Sequence, residues 1–210
     1  MRFATVALAA ASVIAAASFA SAATVHATSA SFISQGLQTN GAAVAANRSN
    51  PANAIGAPGA AAIGGVNFVS LGIGGSIVLG FAPNQFTGPS TVVFEVTNGA
   101  DTYPEEKALV AVSFDGLTWT PLAGFATNKA PGSASTLVVP AGPWTQMRIT
   151  DATDTSLFYN GVGPSNGKPI GDGFDLNAVS VIPVPLPAAA WAGIALLGVG
   201  GIIRRRVLTA

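Results

Sequence analysis

With 210 residues, half of them hydrophobic, 9% charged and none cysteine, the chain has room for one domain plus targeting segments and excludes disulfides, thiolate metal sites and a cysteine nucleophile. Its 25 glycines and 14 prolines favour many short strands joined by turns over long helices. The formal net charge of zero hides a segregation: Arg2, Arg204, Arg205 and Arg206 sit at the two ends, while five basic residues between them face all nine Asp and Glu, a net of −4 that argues against nucleic acid and bare anionic lipid as partners.

Residues 1–22 read as a secretory signal peptide. Met1 and Arg2 form a short basic start and Phe3 to Phe19 an alanine-rich apolar run; Ala20-Ser21-Ala22 is the small-x-small pattern cut by signal peptidase, here between Ala22 and Ala23. Residues 23–49, dominated by Ser, Thr, Ala, Asn and Gln, are expected to be a flexible lead-in. The single histidine, His26, is expected there in solvent, and without partners it forms neither a triad nor a transition-metal site. Asn47-Arg48-Ser49 matches a glycosylation acceptor only by coincidence of composition.

Ser49–Gly59, SNPANAIGAPG, is a run of turns: Pro51 fixes φ, Asn50 and Asn53 offer side-chain acceptors, and Gly56 and Gly59 permit positive φ. The string resembles the NP-x-N-A-[LI]-G-A-P segment of secreted bacterial β-sandwich domains. In the related galactose-binding-like and discoidin-like jelly rolls a loop in this region supplies oxygens to a structural calcium, which implicates Asn50; Gly59 stands where the pattern carries an aspartate.

From Val66 onward strands are predicted at Val66–Leu71, Ser76–Phe81, Thr91–Val96, Lys107–Phe114, Thr118–Leu122, Thr136–Val139, Thr145–Thr150 and Phe174–Ile182. Ala108, Val110, Val112 and Phe114 share one face of their strand. Asp115-Gly116 between two apolar runs is the clearest hairpin signal, and Gly72-Ile73-Gly74-Gly75, with no Lys-Ser/Thr after it, reads as a hairpin turn and not a phosphate loop. About eight short strands over residues 50–182 predict an all-β fold, a jelly-roll-like antiparallel β-sandwich. The segments YPEEKALVAVSFDGLTW and DGFDLNAVSV, at 103–119 and 172–181, resemble the core of a bacterial ectodomain type with that sandwich fold.

Chemistry-bearing residues are few. Asp151 and Asp154 follow a strand, and Asp172 and Asp175 flank Gly173-Phe174; loop oxygens of this kind suit a structural calcium, with turn and capping roles as the alternative. Glu105 and Glu106 are adjacent and point oppositely on an extended segment, so they form no glycosidase pair, and with the sole histidine, His26, in the lead-in a serine nucleophile is left without a base. The chain is therefore expected to be no enzyme. Trp119, in a patterned strand, is expected in the core, whereas Tyr103 and Tyr159, in predicted loops, are candidates for stacking on sugar or contacting a partner.

The tail has three parts: Val184-Pro185-Leu186-Pro187-Ala188, an uncharged apolar run over 188–203, and Arg204-Arg205-Arg206. As a helix the run spans about 24 Å against a hydrocarbon core of about 30 Å. The arginines are expected to stay cytoplasmic and to leave everything before Val184 outside. The tail resembles the VPLPA-CTERM variant of the PEP-CTERM bacterial sorting signal. That resemblance implies an exosortase-type transpeptidase that cleaves near 184–188 and moves the product from a single-pass inner-membrane intermediate to the cell surface. The expected product is a structural or adhesive component of the envelope or extracellular matrix, with a lectin-like module that binds extracellular polysaccharide as the alternative.

Overall fold

A computed structural model of the protein describes residues 24–59, 67–82, 89–95, 103–130 and 134–183. These belong to one unit, Ala23–Pro183. The predicted signal peptide with its Ala22–Ala23 cleavage point, and the tail with Val184–Ala188 and Arg204–Arg206, lie outside the described residues. Among the described residues no helix is long and apolar enough to cross a membrane.

The strands are β1 (Val25–His26), β2 (Ser29–Ser34), β3 (Val69–Ser70), β4 (Ser76–Gly80), β5 (Pro89–Glu95), β6 (Lys107–Ser113), β7 (Thr120–Pro121), β8 (Ala126–Thr127), β9 (Ala134–Val138), β10 (Gln146–Asp151) and β11 (Asp175–Pro183). They build two antiparallel sheets. One runs β1-β11-β5-β9 with β3 also on β11; the other runs β2-β4-β10-β6-β7 with β8 also on β6. The chain is thus an all-β antiparallel sandwich, and each of the eight predicted strands has a counterpart with ends shifted by at most three residues.

Two-residue periodicity makes the core. In β10, Met147, Ile149 and Asp151 are buried while Gln146, Arg148 and Thr150 alternate outward. Register aligns Ile77, Ile149 and Val110 in one cross-strand row, and Leu79, Met147 and Val112 in another. The other sheet contributes Val69, Val93, Leu176, Val179 and Val181, and Phe174 at the mouth of β11 is fully buried. Each such side chain stabilises the fold by about 1.5–3 kcal/mol. Phe114, predicted to extend the inward face of β6, lies beyond the strand end and is 61% exposed.

Five expectations change. Residues 23–49 are not a flexible lead-in: β1 pairs with β11 and β2 with β4, so this segment supplies a strand to each sheet. Backbone pairing is indifferent to the small side chains that made the stretch look like a linker. His26 is accordingly half-buried, with Nδ1 3.0 Å from Ser180 Oγ. The turn at Gly72–Gly75 joins β3 in one sheet to β4 in the other, so it is a crossover and not a hairpin. The β6–β7 hairpin exists, but its loop is long. Asp115 Oδ1 accepts from Leu117 N and Thr118 N, both at 2.8 Å, while Gly116 takes φ +75. These bonds hold the exposed Asp115 carboxyl below its usual range. Trp119, expected in the core, is half-buried, with the Arg148 guanidinium 4.7 Å from its ring centroid.

Candidate functional site

An open cleft of about 800 Å³ forms where the loop after β2 meets the long loop between β10 and β11. Its floor depends on glycine. After β2 the chain passes close to the crossover turn: Gly36 N donates to Leu71 O at 2.9 Å, and Leu37 bridges both Ala43 and Ile73. A Cβ at Gly36 would overlap the Ile73 carbonyl, and one at Gly72, whose φ is +72, would overlap the Gly36 carbonyl. Glycine at both positions permits this approach, and Gly75, where a Cβ would overlap the Leu71 carbonyl, is part of the same contact.

The far wall is residues 155–168. Asp154 Oδ1 accepts from Ser156 N at 2.9 Å and caps a short 3-10 turn, Thr155–Leu157, which answers the predicted capping alternative for this residue. Tyr159 is then fixed three ways. Its N–H donates to Pro169 O at 2.8 Å, its carbonyl accepts from Thr39 Oγ1 at 2.7 Å, and its hydroxyl donates to Gly163 O at 2.7 Å. Lys168 Nζ donates to Ser156 O at 2.7 Å and closes the loop on itself. Gln38, Thr39, Tyr159, Asn166 and Lys168 line the space, and none of the described lining residues is Asp, Glu, His or Cys. An aromatic ring among amides, hydroxyls and one cation can hold a polar ligand but offers no acid–base pair.

Behind the cleft lies a buried acidic cluster. The segment 171–175 carries both: Thr39 N donates to Gly171 O at 2.8 Å and Gly171 N to Thr39 Oγ1 at 3.1 Å, while the next residue, Asp172, turns inward. Arg48 Nη1 stands 2.5 Å from Asp172 Oδ2, an ion pair without a well-angled hydrogen bond to that buried oxygen. Asp175 Oδ1 accepts from Ser70 Oγ. Burial, then the Asp172 charge, pushes the Asp175 carboxyl above its usual range. Asp151 is a clamp: Oδ1 accepts from Phe174 N at 2.9 Å and Thr153 Oγ1 at 2.7 Å, and Oδ2 from Gly74 N at 2.9 Å.

The predicted site residues separate accordingly. The structure brings Asp172 and Asp175 together but engages Asn50 elsewhere: its side chain is exposed and its Oδ1 accepts from Ala52 N at 3.0 Å, capping the turn Pro51–Ala54. With the Arg48 guanidinium already against Asp172 and Asn50 engaged at its own turn, the three do not come together as a calcium ligand set. Among the described residues no group of three or more His, Asp or Glu converges to hold a metal. Tyr159 lines the cleft; Tyr103 does not. The Tyr103 hydroxyl donates to Glu106 Oε1 at 3.1 Å, and its ring meets Phe158 edge-on at 5.7 Å, so it backs the cleft from behind. Burial, then the Glu106 charge, raises its phenol above the usual range. Glu105 and Glu106 do point apart. Glu106 is buried, while Glu105 pairs with Lys107 at 3.0 Å and is held below its usual range chiefly by that hydrogen bond. Gln38, Thr39, Asn166 and Lys168 had no sequence signal, since each is an ordinary loop residue until two distant loops meet.

Among solved structures the chain is similar to one described as CBM32 of AlyQ in complex with 4,5-unsaturated mannuronic acid, at 10% identity and a TM-score of 0.44, covering 77% of this chain and 99% of that chain. No family model and no curated protein matches the chain.

Proposed function

We propose that this protein is a non-catalytic carbohydrate-binding module, exported and displayed at the bacterial surface. The observation that carries the binding part is the cleft: Tyr159 pinned by three hydrogen bonds beside Gln38, Asn166 and Lys168, with no described carboxylate or imidazole in the lining. Sugar rings present apolar faces and hydroxyl edges, which an aromatic ring and side-chain amides complement. Such a site binds without breaking bonds, because glycoside hydrolysis needs two opposed carboxyl groups. Display rests on the ends of the sequence: Ala20-Ser21-Ala22 for signal peptidase, and Val184–Ala188 followed by an apolar run and three arginines for a sorting transpeptidase. An adhesive or matrix-building part in the envelope follows from binding at the surface.

A glycan array probed with the purified protein tests the binding reading. Saturable binding that weakens at least about tenfold in Tyr159→Ala, with the melting temperature preserved, is the expected result. Intact mass and fractionation with and without the transpeptidase test the sorting reading; a surface-located chain that keeps Arg204–Arg206 would overturn it.

A further inference from the structure

We infer that the outward face of the six-stranded sheet carries a second binding surface, centred on Arg148 and Trp119, that takes the carboxylate of a uronate-containing polysaccharide. Inward packing of Met147, Ile149, Ala108, Val110 and Val112 turns Arg148, Leu109 and Ala111 to the outside. Arg148 is in register with Ala111, and Ala111 with Pro121, two residues after Trp119. The guanidinium lies 4.7 Å from the Trp119 ring centroid. Ala111 is only 8% exposed although it faces outward, as a small residue would be where a large ring reaches across it.

The pair presents two donor groups, the Arg148 guanidinium and the Trp119 indole N–H. Among the described residues Arg148 makes no ion pair and no side-chain hydrogen bond, and neither does the indole N–H of Trp119. The outward positions of the neighbouring strands carry no carboxylate: Ser29 and Ser31 on β2, Ser76, Val78 and Gly80 on β4, Gln146 and Thr150 on β10, Lys107, Leu109 and Ser113 on β6; Asp115, which accepts from Ser113 Oγ just past the strand end, is taken up by the N–H groups of Leu117 and Thr118. Stacking on a ring leaves the edge of a guanidinium free, and that planar fork matches a carboxylate in bidentate fashion. The ring face and the serine and threonine hydroxyls fit the pyranose that bears such a carboxylate. The site is separate from the Tyr159 cleft in residues and in ligand charge, so either can fail alone.

Affinity electrophoresis of the full chain through gels containing polygalacturonate, neutral dextran or polyglutamate tests the inference. Retardation by polygalacturonate but not by dextran or polyglutamate is expected, falling about tenfold in Arg148→Gln and in high salt while persisting in Tyr159→Ala. Should Arg148→Gln fail to fold, Trp119→Leu, in a loop outside the strands, probes the same surface. Absence of retardation by polygalacturonate, equal retardation of wild type and a folded Arg148 or Trp119 variant, or equal retardation by polyglutamate would each overturn it.

Discussion

The cleft and the acidic cluster hang on the same five residues, 171–175, yet they are opposites. On the cleft side Gly171 offers only backbone to Thr39, and the lining is built from amides, hydroxyls and an aromatic ring. On the cluster side Asp172 and Asp175 are buried, one against Arg48 and the other against Ser70. Carboxylates, the residues that chemistry would rank first, are here taken up by internal contacts, Asp172 with Arg48 and Asp175 with Ser70 in its own sheet. Residues of no special chemistry make the space a ligand can enter. The difference teaches that burial decides which of two neighbouring groups is structural.

If that division holds, substitutions in the cluster change stability and leave binding intact, and those in the cleft do the reverse. The largest effect is expected from Phe174→Ala, which empties a fully buried position between the two aspartates and costs about 3–5 kcal/mol in urea unfolding. Arg48→Ala follows at about 3 kcal/mol, because it strands Asp172 as a buried charge; adding Asp172→Asn restores part of the loss in a double-mutant cycle. Gly72→Ala joins the two regions, forcing a strained φ and a clash with Gly36, and costs about 2 kcal/mol while also disturbing the cleft floor.

The cluster further gives stability a pH dependence. Asp175 keeps its proton in the folded protein at pH values where the unfolded chain has lost it, so the folded state binds more protons there. Its contribution is complete below about pH 4, the unfolded value, and is lost as pH rises through its folded value of about 8. Melting temperature is therefore expected to fall between mildly acid and mildly alkaline pH, and Asp175→Asn is expected to flatten that slope. The smallest effect on stability belongs to Tyr159→Ala, under about 1 kcal/mol, because its side chain bonds only within its own loop.

Much of the sandwich was legible in the sequence because alternation is a local signal. The run from Lys107 to Ser113 and the Gln146–Asp151 strand declare their inward faces residue by residue. β2 was not legible: SASFIS alternates weakly, its polar members are small, and its place beside β4 is set by hydrogen bonds that any side chain permits. The Asp115-Gly116 signal was read correctly as a reversal but not in its length, since Asp115 folds the loop on its own carboxylate. The candidate site was half legible. Tyr159 stood out as an aromatic residue in a loop, but its companions Gln38 and Thr39 lie about 120 residues away in the chain, beyond any local pattern. Asp172 and Asp175 stand three residues apart, and both are buried. Arg48, the partner of Asp172, was hidden in a segment read as linker.

Carbohydrate binding is proposed for the cleft around Tyr159. A side-by-side glycan array of the wild-type chain and Tyr159→Ala, each verified as folded by its melting temperature, tests it most directly. Saturable glycan binding by the wild type and a loss of at least about tenfold in the variant are expected. No glycan binding by the folded wild type, or equal binding by both proteins, would contradict it.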